Sequence, residues 1–284
     1  MHMNEPPLST ESFLRLGGDC RMQFERFPEL GRVFVQTGNT GGGLGKLVEQ
    51  VSPLWVDGFQ HAFDPDAGLG FSLDKFVAIH ATSSLPSSNE VRSLDLEFGC
   101  YPACLSLIEL SGVSEEGMID RFVGHFGGTR TDRWQLEAWR EERHPPHAMC
   151  ERCAEAAERR ARNPRSHPFF GIFEHASACG ISLHCRLRSE HVDLTADLTP
   201  LKVEALDGFL VVEDVEDRVM LHLNLRMVLG FRIERLWVEG GEIAQLSVFD
   251  MHGNLNFEIF SDLVEMAAIW RCLSQTADSL YLAE

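Results

Sequence analysis

The sequence predicts an α+β protein, internally duplicated, with two halves that each hold a large antiparallel sheet and flanking helices. Three observations carry this expectation. Apolar and polar residues alternate with period two around Gly-bearing turns, the mark of hairpins with one buried face. A segment of helical period follows the strands in each half. The two hairpin-then-helix blocks lie about 150 residues apart, as an internal repeat would.

In the first half, Leu94, Leu96 and Phe98 alternate with Ser93, Asp95 and Glu97. The turn Gly99-Cys100-Tyr101-Pro102 leads into Cys104, Ser106, Ile108 and Leu110, and then a helix over Glu116 to Phe126. The middle of the chain is charged, from Glu137 to Arg143 and from Glu151 to Arg165, and reads as a solvated helix or linker. The expected division is 1–136 for the first repeat, 137–166 for the charged helical linker and 167–284 for the second repeat. In the second repeat Val219, Leu221, Leu223 and Leu225 alternate with Met220, His222, Asn224 and Arg226. Ile233, Arg235 and Trp237 follow Gly230, and Leu246 and Val248 lead into the turn at Asp250 to Asn254. Leu255, Phe257 and Ile259 form the last strand; Leu263, Met266, Ala267, Trp270 and Leu273 then recur at helical spacing.

The 284 residues carry 25 basic and 43 acidic side chains, a net charge of −18, and 44% are hydrophobic. That apolar fraction supports a packed core. The acidic excess repels phosphate backbones and argues against a nucleic-acid partner. No run of 18 apolar residues exists, so no membrane span is expected. Residues 1–10 contain Glu5 and no apolar stretch, which is not a secretory signal. Together with only eight cysteines, this gives the expectation of a cytoplasmic protein with mostly free thiols.

Thr40-Gly41-Gly42-Gly43-Leu44-Gly45-Lys46-Leu47 has the look of a phosphate loop but fails as one. Thr40 stands where the first Gly is needed, and Leu47 where a magnesium-binding Ser or Thr is needed. A flexible strand connection is the expectation. His144, His147, Cys150 and Cys153 recur every third residue, and Cys-x-x-Cys is a zinc or redox spacing. Side chains three apart drift around a helix, so all four converge on a metal only if Pro145 and Pro146 bend the chain. The other reading is a helix start with two ordinary thiols. No nucleophile elbow and no His-Glu-x-x-His is present.

His167-Pro168-Phe169-Phe170 sits where the charged stretch meets the second repeat. Ser166 is expected to cap a helix with Pro168 in its first turn, with Phe169, Phe170 and Phe173 on apolar ground. Two readings stay open for His167: a neutral imidazole beside aromatics that binds haem iron, or an exposed residue before a helix.

Several segments resemble the cytoplasmic haem-utilisation proteins of the HmuS/ChuX type, the hemin-degrading factors. Ser166 to Phe173 is similar to the family's helix-opening His-x-Phe-Phe segment. Val192-Asp193-Leu194-Thr195 with Leu201-Lys202-Val203, Phe209 to Leu223, Ile233 to Val238 and Leu246 to Gly253 are similar in order and spacing to its later segments. Arg92 to Phe98 is similar to a first-half segment, whereas Gln36-Thr37-Gly38-Asn39 and Ala103 to Leu107 depart from the family's pattern.

The resemblance implies the duplicated α+β fold, a haem cofactor and His167 as the axial ligand. It places Phe169, Phe170 and Phe173 against the ring, and Arg92 near its opposite face. It further implies haem trafficking or utilisation, with haem uptake or haem oxygenase proteins as partners. A homodimer is a further expectation, because edge strands of such sheets often pair. Oxidative haem degradation and a non-haem interaction module are the alternative readings. If His167 titrates near 6.5, the unperturbed value, haem binding weakens as pH falls through it.

Overall fold

The computed structural model describes residues 12–83, 92–99, 104–143, 149–228, 230–238, 241–250, 253–262 and 265–267. The chain divides into two compact units. The first comprises Met1–Val35 and Val48–Pro146, the second Gln36–Leu47 and His147–Glu284. The second unit therefore takes the tip of a hairpin from early in the chain.

In the first unit, β1 (Ser12–Leu16) precedes α1 (Cys20–Glu25). β2 (Val33–Asn39) and β3 (Gly42–Val48) form the hairpin that crosses into the second unit. A meander follows: β4 (Leu54–Val56), β5 (His61–Asp64) and β6 (Leu69–Ser72). Then come β7 (Phe76–Ser83), β8 (Arg92–Phe98), β9 (Cys104–Glu109), α2 (Met118–Phe126), β10 (Gly128–Asp132) and α3 (Arg133–Arg143). The main sheet of this unit runs β10-β1-β7-β8-β9, and every pair in it with a recorded register is antiparallel. Its core is aromatic: Phe24 lies within 5.6 Å, centroid to centroid, of Phe27, Trp55, Phe71 and Phe76.

The second unit opens on α4 (Glu151–Arg162) and α5 (Pro168–Cys179). β11 (Leu183–Arg188), β12 (Val192–Leu198), β13 (Lys202–Leu206), β14 (Phe209–Asp214) and β15 (Val219–Asn224) follow. β16 (Gly230–Val238), β17 (Gly241–Phe249) and β18 (Leu255–Ser261) complete the strands. One sheet runs β16-β17-β18-β11-β12 and a second runs β3-β15-β14-β13, again antiparallel. Strands β11, β12 and β15 alternate buried with exposed or half-buried residues, as the period-two pattern requires. Met266 is buried in the expected last helix; Leu263, Trp270 and Leu273 lie outside the described residues.

The duplication has a local signature in its turns. Asp57-Gly58-Phe59 turns β4 into β5, and Asp207-Gly208-Phe209, 150 positions on, turns β13 into β14. Both turns hold Asp and Gly at positive φ, 53° and 67° in one, 50° and 83° in the other, the left-handed conformations that Asp-Gly hairpins favour. Asp64 and Asp214 repeat as well. Asp64 accepts the Ala67 backbone N–H at 3.0 Å, and Asp214 accepts those of Glu216 and Asp217 at 3.1 Å.

The glycine-rich stretch is not a flexible connection. Gly42 to Val48 is strand β3, paired with β15 so that Gly43 faces His222 and Leu44 faces Leu221. A Cβ on Gly43 would overlap the His222 ring, and one on Gly41 would overlap the Asn256 side chain. The glycines make room for large side chains that lie far away in sequence. Asn39 secures this hairpin, accepting from the N–H groups of Gly41 and Gly42 and donating to the carbonyls of Arg188 and Asn256.

Candidate functional site

α5 opens at His167. The imidazole itself caps the helix, Nδ1 accepting the backbone N–H of Phe169 at 3.3 Å. Ser166 was the expected cap, but it ends the short 3-10 turn Pro164–Ser166. Proline at the first helical position favours extended backbone in the residue before it, and His167 takes that conformation with φ −72° and ψ 135°. The helix stops at Gly180, whose φ of 63° is the left-handed cap geometry.

His167 is not exposed. Only 8% of its surface meets solvent, and Phe169, Phe170 and Phe173 are more buried still. Its ring stacks on Phe169 at 5.6 Å, and Phe169 meets Phe231 of β16 edge-on at 6.4 Å. The Arg165 guanidinium lies 5.7 Å above the Phe170 ring. Burial, aided by the positive charge of Arg160, lowers the His167 pKa to about 4, against the raising effect of a hydrogen bond to the Val228 backbone. The imidazole is therefore neutral at pH 7, and the pH dependence expected from an unperturbed ring moves to lower pH.

The wall behind His167 is held by α4. Arg160 donates to the carbonyls of Leu225 (3.3 Å) and Arg226 (2.7 Å). Arg226 in turn donates to Glu158 at 2.7 Å and to the Asp207 carbonyl at 2.9 Å. These contacts fix the turn Leu225 to Val228, buried except for Arg226, against α4.

The remaining expected residues are placed as follows. Arg92 belongs to the first unit, where Nη1 lies 3.1 Å from Asp120 and 3.5 Å from Glu109, two carboxylates that already balance its charge. His144 and His147 lie outside the described residues. Cys150 is the N-cap position of α4 and exposed, with Cys153 one turn on, and both thiols are free. Hydrogen bonding from Cys153 lowers the Cys150 pKa and, reciprocally, raises that of Cys153. Among the described residues no group of three His, Cys, Asp or Glu side chains is placed to hold a metal ion.

The first unit holds a buried polar cluster that sequence reasoning missed. His80 on β7 is 4% exposed, its Nδ1 lies 3.9 Å from Glu97 on β8, and its pKa falls to about 4 through burial first and then Arg140 and Arg15. Arg140 of α3 binds the Glu97 carboxylate and lies 3.5 Å from Asp95. The available signal was a histidine between Ile79 and Ala81 on an otherwise apolar strand.

Comparison with known proteins bears on the fold. No family model and no curated protein matches the sequence. Solved structures do match. ChuS of Escherichia coli O157:H7, described as a heme degrading enzyme, superposes with a TM-score of 0.66 at 12% identity, covering 88% of this chain and 81% of that one. ChuS is also described as an E. coli heme oxygenase, in a structure that covers 92% of this chain and 88% of that one. The heme-binding protein PhuS of Pseudomonas aeruginosa gives a TM-score of 0.67 at 15% identity in its holo form, covering 88% and 81%. The chain thus has the duplicated α+β fold of these proteins. Among the described residues no helix is long and apolar enough to cross a membrane.

Proposed function

We propose that this chain is a cytoplasmic haem-binding protein that receives haem after uptake and passes it on, with His167 as the axial ligand. The observation that carries this reading is the neutral, buried imidazole at the start of α5, stacked on Phe169 and close to the charge of Arg160. A neutral imidazole in apolar surroundings suits haem iron. Likeness to the fold of ChuS and PhuS supports it. Bound haem would supply the iron chemistry, and the residues of this chain would bind and orient it.

Their present arrangement sets a condition on that binding. Nδ1 accepts a hydrogen bond, so the ring proton of the neutral imidazole sits on Nε2. For Nε2 to face iron the proton must move to Nδ1, and that removes the cap from Phe169. Haem entry is thereby coupled to a local rearrangement at the start of α5. Phe169, Phe170 and Phe173 would form the apolar side of the pocket. Arg165, above the Phe170 ring, is a candidate for a propionate, and Arg92 would first have to leave Asp120 and Glu109.

Hemin titration of the purified protein and of His167→Asn tests the reading. A saturable one-to-one Soret shift that the variant loses supports it, and equal binding by both proteins moves the site elsewhere. Haem degradation is the alternative, because one neighbour of this fold is described as a heme oxygenase. Reductant-driven loss of the Soret band that persists with catalase would favour it. A protein that stays colourless with hemin would favour a non-haem interaction module.

A further inference from the structure

β16 is the end strand of its sheet in the second unit. β17 pairs along its whole length on one side; among the described residues no strand lies on the other. Its counterpart in the first repeat is β7, the strand that likewise follows the Asp-Gly meander and precedes the next hairpin. β7 is not bare: β1 pairs along its outer side and β10 covers β1. The repeat has thus capped one sheet end with two strands, whereas among the described residues no strand caps the other. None of the nine residues of β16 is buried, and Trp237 and Val238 are 81% and 45% exposed. An open strand with this much apolar side chain is a template for pairing, which natural sheets otherwise block with charge, proline or a cover.

We propose that β16 pairs antiparallel with β16 of a second copy of this chain, about a two-fold axis through Ile233. In such a pair the axis stands perpendicular to the sheet and keeps each face on its own side. Residues opposite one another share a face, so the axis passes through a residue and not between two. An axis through Glu234 or Arg235 would set like charges directly opposite each other. An axis through Ile233 sets Ile233 against Ile233 of the partner subunit, and Arg232 of each copy against Glu234 of the other. Arg232 and Glu234 lie 2.9 Å apart on one face, 60% and 42% exposed, with the Arg232 guanidinium 5.6 Å from the Phe249 ring, so pairing across would exchange one exposed Arg–Glu contact within each strand for two between copies. Phe231 falls opposite the stem of Arg235, and Leu236 opposite Gly230, where no side chain obstructs it. The strand is self-complementary in charge, which selects a second copy over an unrelated peptide.

Sedimentation of the intact chain across a concentration series, at physiological ionic strength to screen the net charge, tests this. The wild type is expected to dimerise. R232E and E234R each place like charges opposite one another twice, and each is expected to stay monomeric with an unchanged circular dichroism spectrum. An equimolar mixture of the two is expected to form a heterodimer, since both cross-strand pairs then become Arg against Glu. The double swap R232E/E234R is expected to dimerise again. A wild type that is monomeric at every concentration overturns the proposal, whether the edge is bare or covered by the chain's own residues. A dimer indifferent to either single variant, or a mixture that fails to associate, overturns it too.

Discussion

His167 Nδ1 accepts the backbone N–H of Phe169 at 3.3 Å, so the imidazole proposed to bind iron is also the residue that caps α5. The two tasks compete for one ring. Asparagine caps helices well but offers no imidazole, and alanine offers neither.

His167→Asn is therefore expected to unfold close to the wild-type temperature while losing the Soret shift on hemin addition. His167→Ala is expected to lose the same shift and about 1–2 kcal/mol of stability, from the lost cap and the space left beside Phe169. Thermal unfolding and hemin titration of both variants check this. A His167→Asn protein as unstable as His167→Ala would show that capping is not what the ring contributes.

His167 and His80 both have folded-state pKa values of about 4, below the unfolded value near 6.5. Between those values the unfolded chain binds protons that the folded chain does not, so stability rises with pH there. The contribution of each ring is fully present above about pH 6.5 and is lost as pH falls toward 4, by about 3 kcal/mol per ring. Urea unfolding at pH 7 and pH 5 should show the loss, and His80→Asn should flatten the profile by removing one titrating ring. A profile unchanged by that variant would mean that His80 titrates alike in both states.

Gly43 faces His222 across the β3–β15 pair, and a Cβ there overlaps the ring. Gly43→Ala is expected to destabilise by about 1–3 kcal/mol, the range for overpacking. In the background of His222→Ala the same change should cost much less, because the obstructing ring is gone. Additive losses in the double variant would place the strain elsewhere.

Cys150 stands at the N-cap position of α4 without a capping side-chain bond and has its pKa lowered by Cys153, whereas Cys185 is fully buried and its thiol is pushed up. Alkylation with iodoacetamide near pH 7.5, followed by mass spectrometry, is expected to label Cys150 first and Cys185 only after unfolding. Cys153→Ala should slow labelling at Cys150 by removing the hydrogen bond to its thiolate. Equal rates at Cys150 with and without Cys153 would remove that interaction.

Strand alternation was legible wherever one face of a sheet packs on the core. Val219 to Leu225 follow the pattern, because the pleat turns the buried face into a period of two, whereas in β8 Ser93 and Glu97 on the other face are buried as well as Leu94, Leu96 and Phe98. The helix over Met118–Phe126 was legible for the same kind of reason, with Met118, Ile119 and Phe122 buried along one stripe. β16 shows the limit: its outer side faces no described strand, so the alternation there carries no information about what it meets.

By itself the sequence determined strands β8, β9 and β15 to β18, the helix after β9, and the candidacy of His167 beside its phenylalanines. These are local patterns, repeated at a fixed separation. Only the tertiary structure decided that Gly41 to Gly43 lie in a packed hairpin, since the side chains needing that space are His222 and Asn256. It alone decided that His167 is buried and neutral, because the Arg160 charge beside it comes from α4 and its backbone hydrogen-bond partner is Val228, the first beyond its own helix and the second distant in the chain. Burial and electrostatic environment are sums over neighbours distant in the chain, and no local spacing encodes them.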